Sequence, residues 1–405
     1  LSLRISDLDR VFVATLLVLL VTGVIVVYSS CQGEDPGLGL DFWRKQIVFA
    51  VFGLAALALS AAVPPEAWER VSPVMYFVSV AALALVLVAG HSAGGATRWV
   101  SVAGIRFQPS ELAKLSTVLF LARLLANRKR PPESLRELVV PGLVVLVPMA
   151  LTLKQPDLGT ALVFLSALPP MLYWAGVSVP YLLLASSPAL SVVCASSLPS
   201  WIAFTVLLLS LAYFGRALVL EKIVFVSLSV VMGIATPILW GHLEDYQQQR
   251  IVAFLDPARY SSGAGYQIIQ SKVAIGSGGF GGVGFLAGTQ KGLAFLPARH
   301  TDFIFSVVGE EFGFVGTILV LSLFTLLIVR GYRIAAGSRD PFAGFAAIGI
   351  LSMLAFQIFV NIGVTVGLVP VTGLPLPIYS YGGTSLLATL SGLGIVLGVG
   401  MRRRL

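Results

Sequence analysis

Charge is scarce in this chain. Only 11% of its 405 residues are Asp, Glu, Lys or Arg, against roughly 25% in soluble domains. That excludes an ordinary water-soluble fold. Cysteine is nearly absent, and Cys31 and Cys194 are too few for a disulfide framework or a cysteine metal site. No low-complexity tail and no obvious internal repeat interrupts the pattern, which excludes repeat arrays.

What the chain has instead is apolar length. Hydrophobic residues make up 57% of it, with a mean hydropathy of +0.92. Stretches with few or no charges at 11–33, 46–65, 71–97, 222–243 and 312–329 reach or approach the roughly 20 residues that a helix needs to cross a bilayer. The uncharged runs 158–215 and 341–401 are long enough for at least two spans each. The pattern predicts an all-α polytopic membrane bundle with spans near 11–30, 46–63, 73–90, 109–126, 138–153, 157–175, 181–197, 200–215, 223–241, 303–329, 343–368 and 385–400. The first is read as a retained helix, because Tyr28 in VYSSCQ is too bulky for a small-residue cleavage pattern.

Lys and Arg tend to stay on the cytoplasmic side. With both termini inside, fifteen of them fall on cytoplasmic segments and five on the short outer loops. The 242–302 loop then faces outward, and the net charge of +8 reflects topology rather than a nucleic-acid partner. Within this loop, IVAFL and YQIIQSKVAI mix apolar and polar residues at helical spacing, which suits helices lying along a membrane surface. Gly276, Gly278, Gly279, Gly281, Gly282 and Gly284 make a flexible or tight turn. A nucleotide cradle needs a preceding strand and a following helix, which this loop lacks.

Three outer stretches place charges against spans: 94–114, 154–160 and the run LPARHTDFIFSVVGEEFG at 296–313. Ionisable groups in a bilayer usually face a protein interior or a watery cavity, paired with one another. Glu111 and Lys114 are three residues apart, on one helix face, and a self-neutralising pair explains them without chemistry. Asp157 and Asp302 each open a span, where capping the helix is the simpler reading of either alone. Glu310 is eight residues beyond Asp302 and reads as a buried structural polar group. Between the last two spans, 369–385 is rich in Pro and Gly and has no charge. Irregular backbone near a membrane is tolerated where protein or a cavity surrounds it, so Tyr379, Ser380 and Tyr381 are candidates for lining a site, with an ordinary apolar turn as the alternative.

The ordered motifs VYSS, GGATRW, FQPSELAK, QPDLGT, YQQQRI, GYQIIQSKVAIGSGG, LPARHTDFIFSVVGEE and GLPLPIYSYGG run through nearly the whole chain. In these the sequence resembles the SEDS proteins (shape, elongation, division and sporulation), the RodA and FtsW group. LKQPDLGT, GFLAGTQKG and the short N-terminus are more similar to RodA, the elongation type. One departure is about forty extra residues near 181–220, expected to form an inserted helical pair in a single 1–405 domain of otherwise ten family-type spans.

The resemblance implies a peptidoglycan glycosyltransferase that polymerises lipid II outside the cytoplasmic membrane. It implies Asp302 as general base, since diphosphate already leaves well and one carboxylate suffices. Arg98, and after it Lys272, are candidate cations for the diphosphate. Glu111, Lys114 and Asp157 form a positioning network, with His300, Thr301, Ser380 and Tyr381 as further cavity residues. The implied cofactor is a divalent cation, Mg or Mn, with Asp302, Asp157 and Glu111 as ligand options, although no metal motif stands in the sequence. Implied partners are membrane lipids, a class B penicillin-binding protein (a single-span transpeptidase) and elongation-complex proteins. A lipid-linked oligosaccharide transporter and a non-catalytic scaffold are the rival readings; no inverted repeat supports the transporter.

Overall fold

The computed structural model describes residues 8–32, 39–89, 91–93, 96–102, 105–132, 134–214, 218–257, 263–288 and 299–402. Its helices are α1 (Arg10–Ser30), α2 (Gly39–Ala62), α3 (Pro65–Ala89), α4 (Pro109–Ala126), α5 (Leu135–Lys154), α6 (Leu158–Trp174), α7 (Val179–Cys194), α8 (Leu198–Phe214), α9 (Val219–Gly241), α10 (Asp245–Leu255), α11 (Ala264–Ser277), α12 (Ile304–Ala336), α13 (Pro341–Val366) and α14 (Gly383–Met401). A helix stands at each of the twelve predicted spans. Among the described residues, eight helices are long and apolar enough to cross a membrane. Of the rest, α6, α7 and α8 have 16 or 17 residues, and α4 carries Glu111, Lys114 and Arg123. The chain is a multi-pass membrane protein.

One small element departs from the helical expectation. Strands β1 (His91–Ala93), β2 (Ala96–Val102) and β3 (Ile105–Phe107) form an antiparallel sheet in the order β1-β2-β3 between α3 and α4. Short segments of this kind carry little hydrophobic periodicity, so the neighbouring spans hide them.

Two polar contacts set the register of α1 against α12. Asp9 caps α1 by accepting from the Phe12 amide and pairs with Arg330 at 2.8 Å, while at the other end Ser29 Oγ donates to Glu311 Oε1 at 2.5 Å. Glu311 and Arg330 are separated by about 30 Å of helical rise, close to the thickness of a hydrocarbon core. Burial alone would raise the Asp9 carboxyl, but the bonds from Arg330 and Phe12 outweigh it and hold the group below its ordinary value.

Helices α2 and α14 pack closely, and small residues make it possible. A Cβ on Gly394 would sit 2.3 Å from the Leu57 carbonyl oxygen, and one on Gly398 would sit 2.8 Å from that of Ala61. This is small-xxx-small packing, which draws helix backbones together without a hydrophobic driving force. Arg402 then donates to the carbonyls of Ala61 and Ala62, at 2.9 and 2.7 Å, satisfying the end of α2.

The 181–220 segment forms α7 and α8, which join α9 in a peripheral group. Ser191 Oγ donates to the Ser229 carbonyl at 2.6 Å, and Trp201 Nε1 donates to Ser191 Oγ at 3.0 Å. Buried Glu221 ties the group to the rest by accepting from the Leu135 amide at 2.6 Å, which serves the N-terminus of α5. Val206, Leu207, Tyr213 and Phe214 of α8 are exposed, as lipid-facing residues are.

In the 242–302 region, α11 departs from the expectation of a helix lying along a surface. Instead, α11 runs beside the first turn of α12 and the last turn of α13: Ser271 Oγ donates to the Thr365 carbonyl at 2.6 Å and lies 2.6 Å from Ser306 Oγ. The glycine turn that follows reaches a break in α12 at Gly313, whose φ is +62°. There Phe314 and Val315 donate to the carbonyls of Gly279 and Phe280, and Val283 and Gly284 donate to those of Glu310 and Glu311, all at 2.9–3.2 Å. The turn thus replaces backbone bonds that the broken helix loses. It approaches that closely because a Cβ on Gly282 would lie 2.1 Å from the Glu311 carbonyl oxygen.

Two substitutions test these contacts by thermal melting of the purified protein. Gly394→Val forces α2 and α14 apart and is expected to cost about 1–3 kcal/mol or more. Gly313→Ala places a Cβ in a left-handed conformation and is expected to cost roughly 1–3 kcal/mol; an unchanged melting temperature in either would show that the close approach is dispensable.

Candidate functional site

Asp302 sits on the short segment that leads into α12, and neighbouring elements hold its backbone. Arg299, 2% exposed, donates Nε to the Ser30 carbonyl at the end of α1, at 2.7 Å. Tyr381 N donates to the His300 carbonyl at 2.9 Å. Ser380 Oγ donates to the Thr301 carbonyl at 2.5 Å and accepts from Leu376 N at 2.8 Å. Asn361, on α13, donates Nδ2 to the carbonyls of Asp302 and Leu374, at 2.9 and 2.8 Å. Buried carbonyls need such partners, and the set fixes where the aspartate stands.

The same neighbourhood holds an aromatic group. The rings of Phe42 and His300 stack with centroids 4.7 Å apart, and Tyr381 meets Phe42 edge-on at 4.9 Å. From α2, Gln46 Nε2 donates to the Ser380 carbonyl at 3.2 Å. Tyr379 turns the other way: it is 2% exposed, with its ring 6.1 Å from that of Phe324, so it packs in the core instead of lining a site.

The capping alternative separates the two aspartates. The N-cap position of α12 is Phe303, one residue past Asp302, whose carboxylate is half-buried. Asp157 is the N-cap of α6: its two oxygens accept from Thr160 N at 3.1 Å and Thr160 Oγ1 at 2.9 Å. The first turn of α6 lies hard against the 371–374 stretch, since a Cβ on Gly159 would come within 2.6 Å of the Thr372 carbonyl oxygen. Asp157 therefore supports the floor on which the Asp302 loop rests.

Glu111 and Lys114 form the same-face pair that their spacing predicts, at 2.9 Å and almost fully buried. They line a cavity of about 50 Å³ among α4, α13 and α14, whose other polar residues are Gln357 and Thr389. Gln357 lies four residues before Asn361, one turn along the same face of α13, so this cavity sits directly beneath the clamp on Asp302.

Of the two candidate cations, Arg98 lies on β2, and its side chain is outside the described residues. Lys272 is exposed on α11. It lies over Gly367, the left-handed C-cap of α13, where a Cβ would meet its Nζ at 2.5 Å and where a cation complements the free carbonyls of the helix end. Glu310 and Glu311 are buried, one beside Gly288 and the other on Ser29, and both share in the contact with the glycine turn.

For a divalent cation the donor set fits in one limited way. Among the described residues no group of three or more His, Cys, Asp and Glu is placed to hold a metal. Glu111 directs both oxygens to Lys114, and Asp157 directs both to Thr160. Asp302 would hold such an ion together with a phosphorylated substrate, the pattern of magnesium sites built from one or two carboxylates plus substrate oxygens.

Asn361, Gln46 and Ser29 were not marked as site residues by the sequence, and Arg299 was marked only as part of the charged run at 296–313. Their signal was faint: a polar residue within an apolar span has a partner elsewhere in the fold, but the span does not say which.

Known proteins agree with this architecture across its length. The family model described as FtsW/RodA/SpoVE, cell cycle protein, matches residues 9–203 and 179–405; the two stretches overlap within α7 and the start of α8. The chain is 38% identical over 400 residues to "Peptidoglycan glycosyltransferase MrdB" of Escherichia coli (strain K12), covering 98% of this chain and 95% of that one. It is 32% identical over 433 residues to "Peptidoglycan glycosyltransferase RodA" of Treponema pallidum (strain Nichols), covering 98% and 99%. A solved chain described under "Structural coordination of polymerization and crosslinking by a peptidoglycan synthase complex" superposes with a TM-score of 0.71 at 33% identity, over 98% of both chains. The rod shape determining protein RodA of Thermus thermophilus does so with 0.64 at 28% identity, also over 98% of both. The chain belongs to the FtsW/RodA/SpoVE family of cell cycle proteins.

Proposed function

We infer that this chain is a peptidoglycan glycosyltransferase, which joins lipid II into glycan strands on the outer face of the cytoplasmic membrane during cell elongation. The observation that carries the mechanism is the clamped, half-buried Asp302 at the head of α12. Its backbone is bonded by Asn361 and its neighbours by Ser380 and Tyr381, so its carboxylate meets an incoming sugar hydroxyl in a set geometry. Asp302 takes the proton as the hydroxyl oxygen attacks the anomeric carbon, and the bond to the polyprenyl diphosphate breaks on the opposite face. The product is inverted, and the diphosphate leaves with the electron pair. A divalent cation held by Asp302 and the diphosphate oxygens would supply charge neutralisation at the leaving group.

The Lys and Arg distribution supports cytoplasmic termini and an extracytoplasmic Asp302. A class B penicillin-binding protein that crosslinks the product is the proposed partner, in keeping with the peptidoglycan synthase complex in which the structural neighbour was described. Membrane lipids surround the bundle, and elongation-complex proteins are the expected company.

The test is polymerisation of fluorescent lipid II by the purified chain with magnesium or manganese. Asp302→Asn keeps the shape of the side chain but is a very poor base, and a loss of about 10²–10⁴-fold in turnover is expected; normal polymer from this variant would falsify the assignment. Lipid II crossing between leaflets without polymer formation would favour a transporter. Asn361→Leu leaves the buried carbonyls of Asp302 and Leu374 without this donor, and the displaced base is expected to cost about 10²-fold in kcat with a smaller change in KM.

A further inference from the structure

A second cavity, of about 460 Å³, lies between α6, α12 and α13, apart from the one at Glu111. Small side chains leave it open: Ser166, Pro169 and Pro170 on α6 line it with Ser352 and Ala355 on α13, and Tyr332 of α12 stands beside them. Most of these residues are half-buried, so the groove opens on the outside of the bundle, where lipid stands. Its hydroxyls are already engaged. Ser166 Oγ donates to the Val163 carbonyl at 2.7 Å, Ser352 Oγ donates to that of Ile348 at 2.7 Å, and Tyr332 Oη lies 3.1 Å from Ser352 Oγ. What the groove offers an occupant is therefore apolar surface. Ser352 stands eleven residues along α13 from Pro341, about 16 Å by helical rise, which is close to half of a roughly 30 Å hydrocarbon core. The groove thus runs at the depth of the acyl chains of one leaflet.

Its headgroup end carries an indole and charge. A Cβ on Gly344, in the first turn of α13, would lie 3.9 Å from Trp174 Nε1 and 3.7 Å from Ser338 Cβ, so the indole at the end of α6 meets the turn that carries Arg339. Pro131 packs on Gly176, where a Cβ would lie 2.9 Å from its Cγ, which brings Lys129 and Arg130 to the same end of α6. Lys129, Arg130 and Arg339 are exposed, and the neighbouring Asp340 directs its carboxylate to the Phe342 amide at 2.9 Å.

We propose that this groove seats one acyl chain of an anionic phospholipid from the cytoplasmic leaflet, with the phosphate held by Arg339, Lys129 and Arg130 beside the Trp174 indole. The choice of leaflet rests on the orientation inferred above. Trp is favoured at the bilayer interface, and Lys and Arg next to the membrane attract anionic lipids. The volume is about that of one turn of a helix 10 Å across, too little for a partner span, whereas a single flexible hydrocarbon chain fits it. Seated there, the lipid packs the three helices near whose other ends stand Asp157, Asp302 and Asn361.

The full-length protein is reconstituted in phosphatidylcholine vesicles with a trace of phosphatidylglycerol or phosphatidylcholine that carries a photoreactive diazirine in one acyl chain, and labelled residues are mapped by mass spectrometry. The anionic probe is expected to label the groove residues of α6 and α13 more strongly than the neutral one. Arg339→Gln, on an exposed turn, is expected to lower that labelling about 5-fold, and Arg339→Lys to restore it. Ala355→Leu, which fills the groove, is expected to remove the label there while labelling elsewhere stays. Equal labelling by the two probes, or anionic labelling untouched by Arg339→Gln, is ordinary lipid solvation and overturns the proposal. Displacement of the anionic probe by unlabelled polyprenyl diphosphate also overturns it, assigning the groove to a substrate tail. Reaction of Arg339→Cys with a membrane-impermeant thiol reagent in intact cells, above that of the unsubstituted chain, overturns the leaflet alone and leaves the labelling to decide the site.

Discussion

Asn361 donates one amide group to two backbone carbonyls, Asp302 and Leu374, and so joins the segment entering α12 to the irregular stretch before α14. The other features of the site are arranged around that junction. Ser380 repeats the connection through Thr301, and Arg299 extends it to the end of α1. In an apolar environment unsatisfied carbonyls are costly, so these bonds position the Asp302 loop and satisfy its backbone together. A carboxylate on such a loop has a defined address even though no helix contains it.

Glycine serves this structure mainly as permission for close approach. On α14 it lets two helix backbones meet, where lipid supplies no hydrophobic push and packing must hold them. At Gly282 and Gly313 it lets a turn dock against the break in α12, replacing lost backbone bonds. The glycine cluster that superficially resembles a phosphate cradle is thus a brace for α12.

Much of the bundle was legible in the chain because hydrophobic length and charge position are local quantities. Twelve helices stand at the stretches that hydropathy marks, and Glu111 pairs with Lys114 as three-residue spacing requires. The sheet at 91–107 was hidden because its strands have three to seven residues, too few for an alternation to stand out. The course of α11 was not readable either: its mixed polarity suits a membrane surface, and only its contacts with Ser306 and Thr365 show that it descends beside α12. Asp157 and Asp302 looked alike as residues opening a span, and one of them does cap its helix while the other stands a residue ahead of the cap.

By itself, then, the sequence determined a helical membrane bundle, its span positions and a motif that places Asp302 at the head of a helix. Tertiary structure alone decided what holds that aspartate and what faces it. The reason is separation along the chain: Asn361 is 59 residues from Asp302, Ser380 is 79 from Thr301, and Arg299 is 269 from Ser30. Periodicity and propensity act over a few turns, whereas contacts at those separations exist only once the helices have packed.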